Sequence, residues 1–218
     1  FGQFNLMGHR ERGTQAARLY AEATEQVKLA EASGFEIAWF AEHHFSNYCT
    51  CPSPLMMVAH AGAVTERIRL GPAIVVVPLY NPVRLISEIG QADNLTNGRL
   101  VLGMGSGYQP FEFDRLGADL EVSKAQTEEF MEMVEQAFAN ESFTFDGEFY
   151  SMPETHIACR PVQAMPEVWV AGDAAFLHCV CAKRGYIPMF TGRLFGADYI
   201  VQQRERLADS YRAEGKDT

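Results

Sequence analysis

An acid and two adjacent histidines, Glu42, His43 and His44, form the stretch of the sequence best suited to chemistry. They follow the apolar run 37–41, which has the length and aromatic content of a buried strand. Because a protein core disfavours unpaired charged groups, we expect these side chains at the end of that strand, where α/β proteins place their reactive groups. The sequence therefore predicts a functional site at the carboxyl edge of a sheet.

The two histidines are expected to differ in role. Neighbouring residues of an extended chain point to opposite sides, so we expect one of His43 and His44 to face the site. A histidine that faces it can hydrogen-bond a ligand or move a proton, since its imidazole titrates near neutral pH. Glu42 is expected to orient a histidine rather than to act as a catalyst. The alternative is a pair of structural histidines satisfied by neighbouring groups.

Two further segments could bind phosphate. The glycine-rich turn at 103–108 lets backbone amides approach a ligand, and Ser106 adds a hydroxyl. This turn is not the dinucleotide-binding fingerprint, so it does not identify a cofactor by itself. The segment Gly172-Asp173-Ala174 lies where a predicted strand meets a predicted helix, and helix N-termini bind phosphate. An ordinary helix capped by Asp173 is the alternative reading of that segment.

Composition narrows the class of protein. The formal net charge of -10 disfavours a nucleic acid or an anionic membrane as partner. No apolar run approaches the roughly 20 residues of a membrane span, and no basic-then-apolar signal sequence opens the chain. The five cysteines are an odd set, which favours a reducing, cytoplasmic compartment. A metal site is not expected, because the C-x-C spacing of Cys179 and Cys181 points two helical sulfurs to different faces.

Strands and helices alternate along the chain and would position these segments. A helix is predicted after each of six strands, at 1–6, 35–41, 68–77, 99–103, 168–171 and 186–190. A hairpin, built around the turn Asp146-Gly147, interrupts this order at 141–167. The alternation requires a parallel sheet with right-handed crossovers. Periodicity alone does not choose between a doubly wound sheet and an eight-stranded barrel of roughly 250 residues.

Three helix starts carry capping signals. Ser53 and Asn81 each precede a proline, the arrangement of an N-cap followed by proline at the first helical position. Ser123 and Gln126 have the spacing of a capping box.

The tetrad Glu42-His43-His44-Phe45 resembles that of the bacterial luciferase-like, flavin-dependent monooxygenases. The resemblance extends in order over nearly the whole chain and includes the segments Phe1–Phe4, Ser33–Phe35, Asn81–Arg84, Asn97–Arg99, Gly103–Tyr108, Pro161–Gln163 and Val168–Gly172. It implies a TIM-type (β/α)8 barrel, a single domain over 1–218 from which the last one or two βα units are absent.

The same resemblance assigns the site. It places His43 beside the reactive flavin ring, with Glu42 and His44 next to it, and a non-proline cis peptide between Ala73 and Ile74 against that ring. Other cofactor-binding positions, for the FMN phosphate and ring, are Gly105, Ser106, Tyr108, Gly172, Asp173 and Ala174. Ser106 stands where many relatives have arginine, and Ala174 where a serine is common, so the phosphate side departs from the family pattern.

The implied activity is that of a monooxygenase. Reduced FMN and dioxygen would form a flavin hydroperoxide that oxidises a small organic substrate, such as an aldehyde or a ketone. A separate NAD(P)H-linked flavin reductase is the expected electron source, and a homodimer the expected assembly. The alternatives are a deazaflavin-dependent oxidoreductase, a shortened flavin-binding protein without turnover, and a metal-dependent barrel hydrolase that uses the histidines as ligands.

Overall fold

The computed structural model describes residues 1–11, 13–172, 175–190 and 195–217, with the backbone alone at 175 and 176. Two compact units divide the chain, Phe1–Pro166 and Glu167–Thr218. Among the described residues, no helix has both the length and the apolar character needed to cross a bilayer.

The first unit alternates strands and helices before a hairpin ends it. In order, its elements are β1 Gly2–Asn5, α1 Ala16–Ala32, β2 Ile37–Phe40, α2 Pro54–Gly62, β3 Arg69–Pro72, β4 Val75–Val76, a 3-10 turn at Val77–Leu79, α3 Pro82–Leu95, β5 Val101–Gly105, α4 Pro110–Leu116, α5 Ser123–Ala139, β6 Ser142–Asp146 and β7 Ser151–His156. The second unit contains β8 Glu167–Ala171, α6 Ala175–Arg184, β9 Ile187–Met189 and α7 Gly196–Ala213.

The strands outside the hairpin pair in parallel, as the alternation predicts. In the first unit β2 lies between β1 and β3, with Ile37 opposite both Gly2 and Arg69. A bridge between Leu70 and Leu100 continues this pairing toward β5, and β4 pairs with β5. In the second unit β8 pairs with β9. Since parallel strands end at the same edge, the loops after β1, β2, β4 and β5 lie together.

The burial of β2 explains why its sequence is continuously apolar. All four residues of β2 are buried, as expected for a strand of a parallel sheet that is covered on both faces. The helices contribute one apolar side each: Val27 of α1, Val58 of α2, and Leu85 and Ile89 of α3 are fully buried.

The expected third strand is divided in two. β3 ends at Pro72 and β4 begins at Val75, and the Ala73–Ile74 peptide bond between them is cis. The cis bond implied by the resemblance is therefore confirmed. Ala73 still donates its backbone N–H to the carbonyl oxygen of Phe40 at 2.7 Å, so the interruption remains joined to the end of β2.

The predicted hairpin is confirmed, but Asp146-Gly147 is not the centre of its turn. Asp146 pairs with Ser151, so the connection between β6 and β7 is a four-residue loop, 147–150. The carboxylate of Glu129 on α5 accepts hydrogen bonds from the backbone N–H groups of Glu148, Phe149 and Tyr150. This contact with a distant helix outweighs the local turn preference, because a charged acceptor satisfies three backbone donors at once.

The helix starts follow the capping signals in part. Asn81 caps α3 through its side chain, which accepts from the N–H of Arg84 at 3.1 Å. Ser53 is the N-cap residue of α2 but makes no capping hydrogen bond. The capping box at Ser123 is wrong: Val122 is the N-cap of α5, and the Ser123 hydroxyl donates to the carbonyl of Leu120 instead.

Arg99 joins three segments at the amino edge of the sheet. Its guanidinium donates to the carbonyl oxygens of Gly62, Thr65, Ile68 and Thr96 and to the Thr65 hydroxyl, at 2.8–3.0 Å. Arg99 therefore satisfies carbonyl groups at the end of α2 and fixes the approach to β3 and β5.

We expect Arg99→Met to lower the free energy of unfolding by about 3 kcal/mol, because several partly buried carbonyls lose their charged donor. Urea unfolding followed by circular dichroism measures the change. Arg67→Met is the matched control, since the Arg67 guanidinium is exposed and lies 4.0 Å from Glu66; its effect should stay within about 0.5 kcal/mol. Equal losses in the two variants would contradict the role assigned to Arg99.

Glu31 makes the stability of the first unit depend on acid pH. Partial desolvation opposes ionisation, but hydrogen bonds from the backbone N–H groups of Ile68, Arg67 and Glu66 outweigh it and lower the pKa of Glu31 below its usual 4.5. A carboxylate with a lowered pKa stabilises the fold above the unfolded-state pKa, and this contribution is lost as the pH falls through the folded-state value.

Glu31→Gln should therefore destabilise the protein at pH 7, by about 1 kcal/mol for hydrogen bonds at an exposed site. The difference between variant and wild type should shrink as the pH falls from about 5 to about 3, because wild-type Glu31 is then protonated. Urea unfolding at each pH gives both values. Glu66→Gln, at a largely exposed carboxylate, is the control, and a difference between Glu31→Gln and wild type that does not change with pH would refute the prediction.

Candidate active site

The acid and the two histidines lie at the carboxyl edge, immediately after β2. Ala41 donates its N–H to the carbonyl of Asn5 at the end of β1, and His43 donates its own to the carbonyl of Cys51 at 3.2 Å. The buried strand thus ends in a loop whose backbone is held from both sides. The side chains of 42–44 emerge where sequence reasoning expected them.

Glu42 is a buried acceptor for several donors. Its side chain is fully buried, and its carboxylate accepts from His44 Nε2 and from the N–H of Val76, each at 3.0 Å. Tyr80 donates its hydroxyl to the same carboxylate. Burial raises the pKa of Glu42, and the three donors act against that rise. Burial also raises the pKa of Tyr80, which keeps its hydroxyl protonated as a donor.

His44 is the histidine that Glu42 orients. The hydrogen bond from its Nε2 to Glu42 raises the pKa of His44, and partial burial opposes this rise. The Glu42 carboxylate thus favours the protonated form of the His44 imidazole. Because Glu42 also holds the N–H of Val76, this pair ties the loop after β2 to the segment that follows the cis bond.

His43 has a different carboxylate partner. Its Nδ1 lies 3.0 Å from Oε1 of Glu112, and its side chain is 11% exposed. The ring meets Tyr48 and Tyr108 edge-on, with centroid distances of 4.9 and 5.7 Å. The two histidines thus use separate partners on separate elements, as expected from their opposite directions along the chain.

The neighbouring part of this edge is half-exposed. Ala73 and Ile74 are partly exposed between buried neighbours. Gly105, the last residue of β5, lies opposite Val76. Ser106 is partly exposed, and Gly107 follows with a φ of 74°. A side chain at Gly107 would lie 2.6 Å from Val76 Cγ1, so the turn requires glycine.

Seven predicted site residues therefore gather at one edge. Glu42, His43 and His44 lie after β2, Ala73 and Ile74 join β3 to β4, and Gly105 and Ser106 lie at the end of β5. Tyr108 joins them through its hydroxyl, which is 3.4 Å from His43 Nε2.

The other predicted positions lie elsewhere in the chain. Gly172 belongs to the second unit, where it follows β8 with a φ of 150° and donates its N–H to the carbonyl of Met189. Asp173 and Ala174 lie outside the described residues. The assignment of these three residues to a phosphate site stays a prediction.

Sequence reasoning missed Glu112 and the short helix that carries it. Glu112 lies on α4, which begins with Pro110 at a first helical position. That proline is a start signal that could have identified the helix, and an acid between Phe111 and Phe113 indicates a buried carboxylate in need of a partner. Tyr80, the hydroxyl donor to Glu42, had no comparable signal. Within the described part of the chain, no three His, Cys, Asp or Glu side chains form a group that could hold a metal ion.

Comparison with known proteins identifies the family. The family described as luciferase-like monooxygenase matches residues 1–218. An uncharacterised protein of Sinorhizobium fredii is 38% identical over 100% of this chain and 62% of its own length. The oxygenase component of the flavin-dependent trigonelline monooxygenase of Acinetobacter baylyi is 31% identical over 84% of this chain and 52% of its own.

A solved structure shows the same fold. It is the oxygenating constituent of 3,6-diketocamphane monooxygenase from Pseudomonas putida, in complex with FMN. This structure has a TM-score of 0.86 at 19% identity and covers 100% of this chain and 63% of its own. The chain thus spans less than two thirds of the length of each of these proteins. The match over all 218 residues shows that the chain belongs to the luciferase-like monooxygenase family.

Proposed function

We propose that this chain carries the reaction site of a flavin-dependent monooxygenase, which uses reduced FMN and dioxygen to oxidise a small organic substrate. The observation that carries the proposal is the position of His43 at the same edge as the partly exposed apolar dipeptide Ala73–Ile74. The flavin-dependent relative from Acinetobacter baylyi and the FMN complex of the Pseudomonas putida protein support the choice of cofactor.

The described residues fit the ring end of a flavin. A flat aromatic ring needs apolar surface and a few polar groups at its edge. Ala73 and Ile74 offer partly exposed apolar surface, and the imidazole of His43 supplies the polar group. For the phosphate we propose the backbone amides at Gly105 and Ser106 and the hydroxyl of Ser106.

Bound reduced FMN would supply the electrons with which dioxygen is activated for the transfer of one oxygen atom. The residues of the chain itself would bind and orient the flavin. His43 holds or moves a proton at Nε2. The rings of Tyr48 and Tyr108 flank the imidazole. Glu42 and His44 hold the loop after β2 against the segment that contains Ala73 and Ile74.

A separate NAD(P)H-linked flavin reductase is the proposed source of reduced FMN. The sequence has no dinucleotide-binding fingerprint. The relative from Acinetobacter baylyi is named an oxygenase component, which is the part of such a system that this chain resembles.

We also propose that the strands belong to a barrel of the TIM type. The parallel pairing of β1, β2 and β3, and of β4 with β5, supports a closed sheet with its reaction site at the carboxyl edge.

Titration with FMN, oxidised and photoreduced, tests binding, and oxygen-18 incorporation tests the reaction. We expect the reduced form to bind and dioxygen-derived oxygen to enter a product from a panel of aldehydes, ketones and, after the Acinetobacter baylyi relative, trigonelline. Binding without labelled product from any member would favour a non-catalytic flavin-binding protein. Hydride transfer from a reduced deazaflavin without oxygen consumption would favour a deazaflavin-dependent oxidoreductase. Either result would overturn the proposal.

A further inference from the structure

We propose that Glu112 is the positioning residue of this site: its carboxylate holds His43 in the tautomer and orientation that present Nε2 to a ligand. The catalytic meaning of this inference rests on the proposed monooxygenase function, whereas the tautomer itself does not.

The contact with Glu112 sets the tautomer of His43. A carboxylate only accepts hydrogen bonds, so the imidazole nitrogen that faces it must carry the hydrogen. His43 Nδ1 faces Glu112 Oε1 at 3.0 Å. Nδ1–H therefore donates to Glu112, and in the neutral imidazole the lone pair is left on Nε2.

Burial and a second hydrogen bond hold the Glu112 carboxylate in place. The Glu112 side chain is 2% exposed and comes from a helix that also buries Phe113. The same oxygen, Oε1, accepts the backbone N–H of His44 at 2.8 Å. One buried atom thus fixes both the ring of His43 and the peptide group that follows it, which leaves the imidazole little freedom to rotate.

The second ring nitrogen of His43, Nε2, points away from Glu112. Its neighbour is the hydroxyl of Tyr108, 3.4 Å away, and Tyr108 is 60% exposed. Nε2 therefore points toward the open side of the site, whereas Nδ1 points into the protein. A ligand that approaches from the Tyr108 side meets the nitrogen that can accept its proton.

The charge of Glu112 gives it a second role beside His43. If Nε2 takes up a proton, Glu112 is the adjacent counter-charge for the imidazolium that forms. The other buried carboxylate, Glu42, is occupied by His44, Val76 and Tyr80. The two acids therefore have separate roles. Glu42 holds the backbone at this edge, and Glu112 sets the tautomer and orientation of His43.

Nitrogen-15 spectra of the histidine side chains in the full chain test the inference. The protein has six histidines, and His43→Gln identifies the signals of His43 by their loss. We expect wild-type His43, in its neutral form, to show a protonated Nδ1 and an unprotonated Nε2. In Glu112→Gln, the carboxamide can donate to Nδ1 as well as accept from it, so the ratio of the Nδ1–H to the Nε2–H tautomer should fall by about tenfold or more.

Turnover provides the second readout. Glu112→Gln should reduce product formation by roughly 10–100-fold, as partners of this kind do elsewhere, while the Kd for reduced FMN changes by less than about threefold. Glu112→Asp keeps the charge and should recover part of both the tautomer ratio and the rate. Asp114→Asn, an exposed acid of the same helix, is the matched control and should change neither.

Different outcomes test the tautomer, the positioning role of Glu112 and the proposed function. An Nε2–H tautomer in wild type, or an unchanged tautomer ratio in Glu112→Gln, overturns the inference even if no substrate is known. The wild-type spectrum decides the point even if Glu112→Gln does not fold. Unaltered turnover in Glu112→Gln, together with a lost tautomer preference, overturns the positioning role. Absence of product from wild-type protein refutes the proposed function and leaves the tautomer result intact.

Discussion

Replacement of His43 by alanine should slow product formation by about 10²–10⁴-fold, the usual contribution of a positioned general acid or base. The reason is geometric. Among the described residues that gather at this edge, His43 is the titratable group whose second nitrogen points to the exposed rim. Folding should be little affected, because Glu112 Oε1 keeps its hydrogen bond from the N–H of His44.

Stopped-flow oxidation of photoreduced FMN, with product measured by mass spectrometry, gives the rate, and anaerobic titration gives the Kd. We expect the Kd for reduced FMN to change by less than about tenfold in His43→Ala, so that the loss falls mainly on turnover. His60→Ala is the control, because His60 is an exposed residue of α2. A His43→Ala variant that binds reduced FMN normally and oxidises substrate at the wild-type rate would refute the catalytic assignment.

Glu42→Ala should lower the free energy of unfolding by about 3–5 kcal/mol, the cost of removing one partner of a buried charged pair. The substitution leaves His44 Nε2, the N–H of Val76 and the hydroxyl of Tyr80 without their acceptor. An unmet donor in the interior costs more than its hydrogen bond contributes when formed. The loss of unfolding free energy in Glu42→Ala should therefore exceed that caused by alanine substitution of any exposed acid in the chain.

Chemical denaturation measures this loss, and hydrogen exchange locates it. The Val76 amide should exchange faster in Glu42→Ala, because its acceptor is the Glu42 carboxylate. Glu42→Gln, whose carbonyl can still accept, should lose less stability than the alanine variant. Glu36→Ala is the control, since the Glu36 side chain is exposed. A loss below about 1 kcal/mol would mean that the buried carboxylate does not hold this edge together.

Where a structural feature depends on neighbours in the chain, the sequence predicts it well. The helical spacing of apolar residues over 15–32 predicts α1, which spans Ala16–Ala32, and Asn81 caps α3 as its position before Pro82 indicates. Gly34, just after the end of α1, has a positive φ, as is common for a glycine that ends a helix. These features depend on hydrophobic period, proline geometry and the conformational freedom of glycine, all of which act within a few residues.

Features that depend on a distant partner were predicted wrongly or not at all. The hairpin loop lies at 147–150 rather than around Asp146-Gly147, because Glu129, on another element, accepts hydrogen bonds from the backbone of this loop. The strand predicted at 68–77 breaks at Ala73–Ile74, and only the family resemblance had indicated this. A local pattern carries no information about a carboxylate that lies many residues away in the chain.

The histidine pair shows this division most clearly. Residue order alone indicates that Glu42, His43 and His44 follow a buried strand, and hence that they lie at the carboxyl edge of a parallel sheet. It could not determine which acid serves which histidine. The partner of His43 is Glu112, 69 residues further along the chain, whereas Glu42, next to His43 in sequence, serves His44. Only tertiary structure decides this, because hydrogen bonds form between atoms that folding brings within about 3 Å, whatever their separation in the chain.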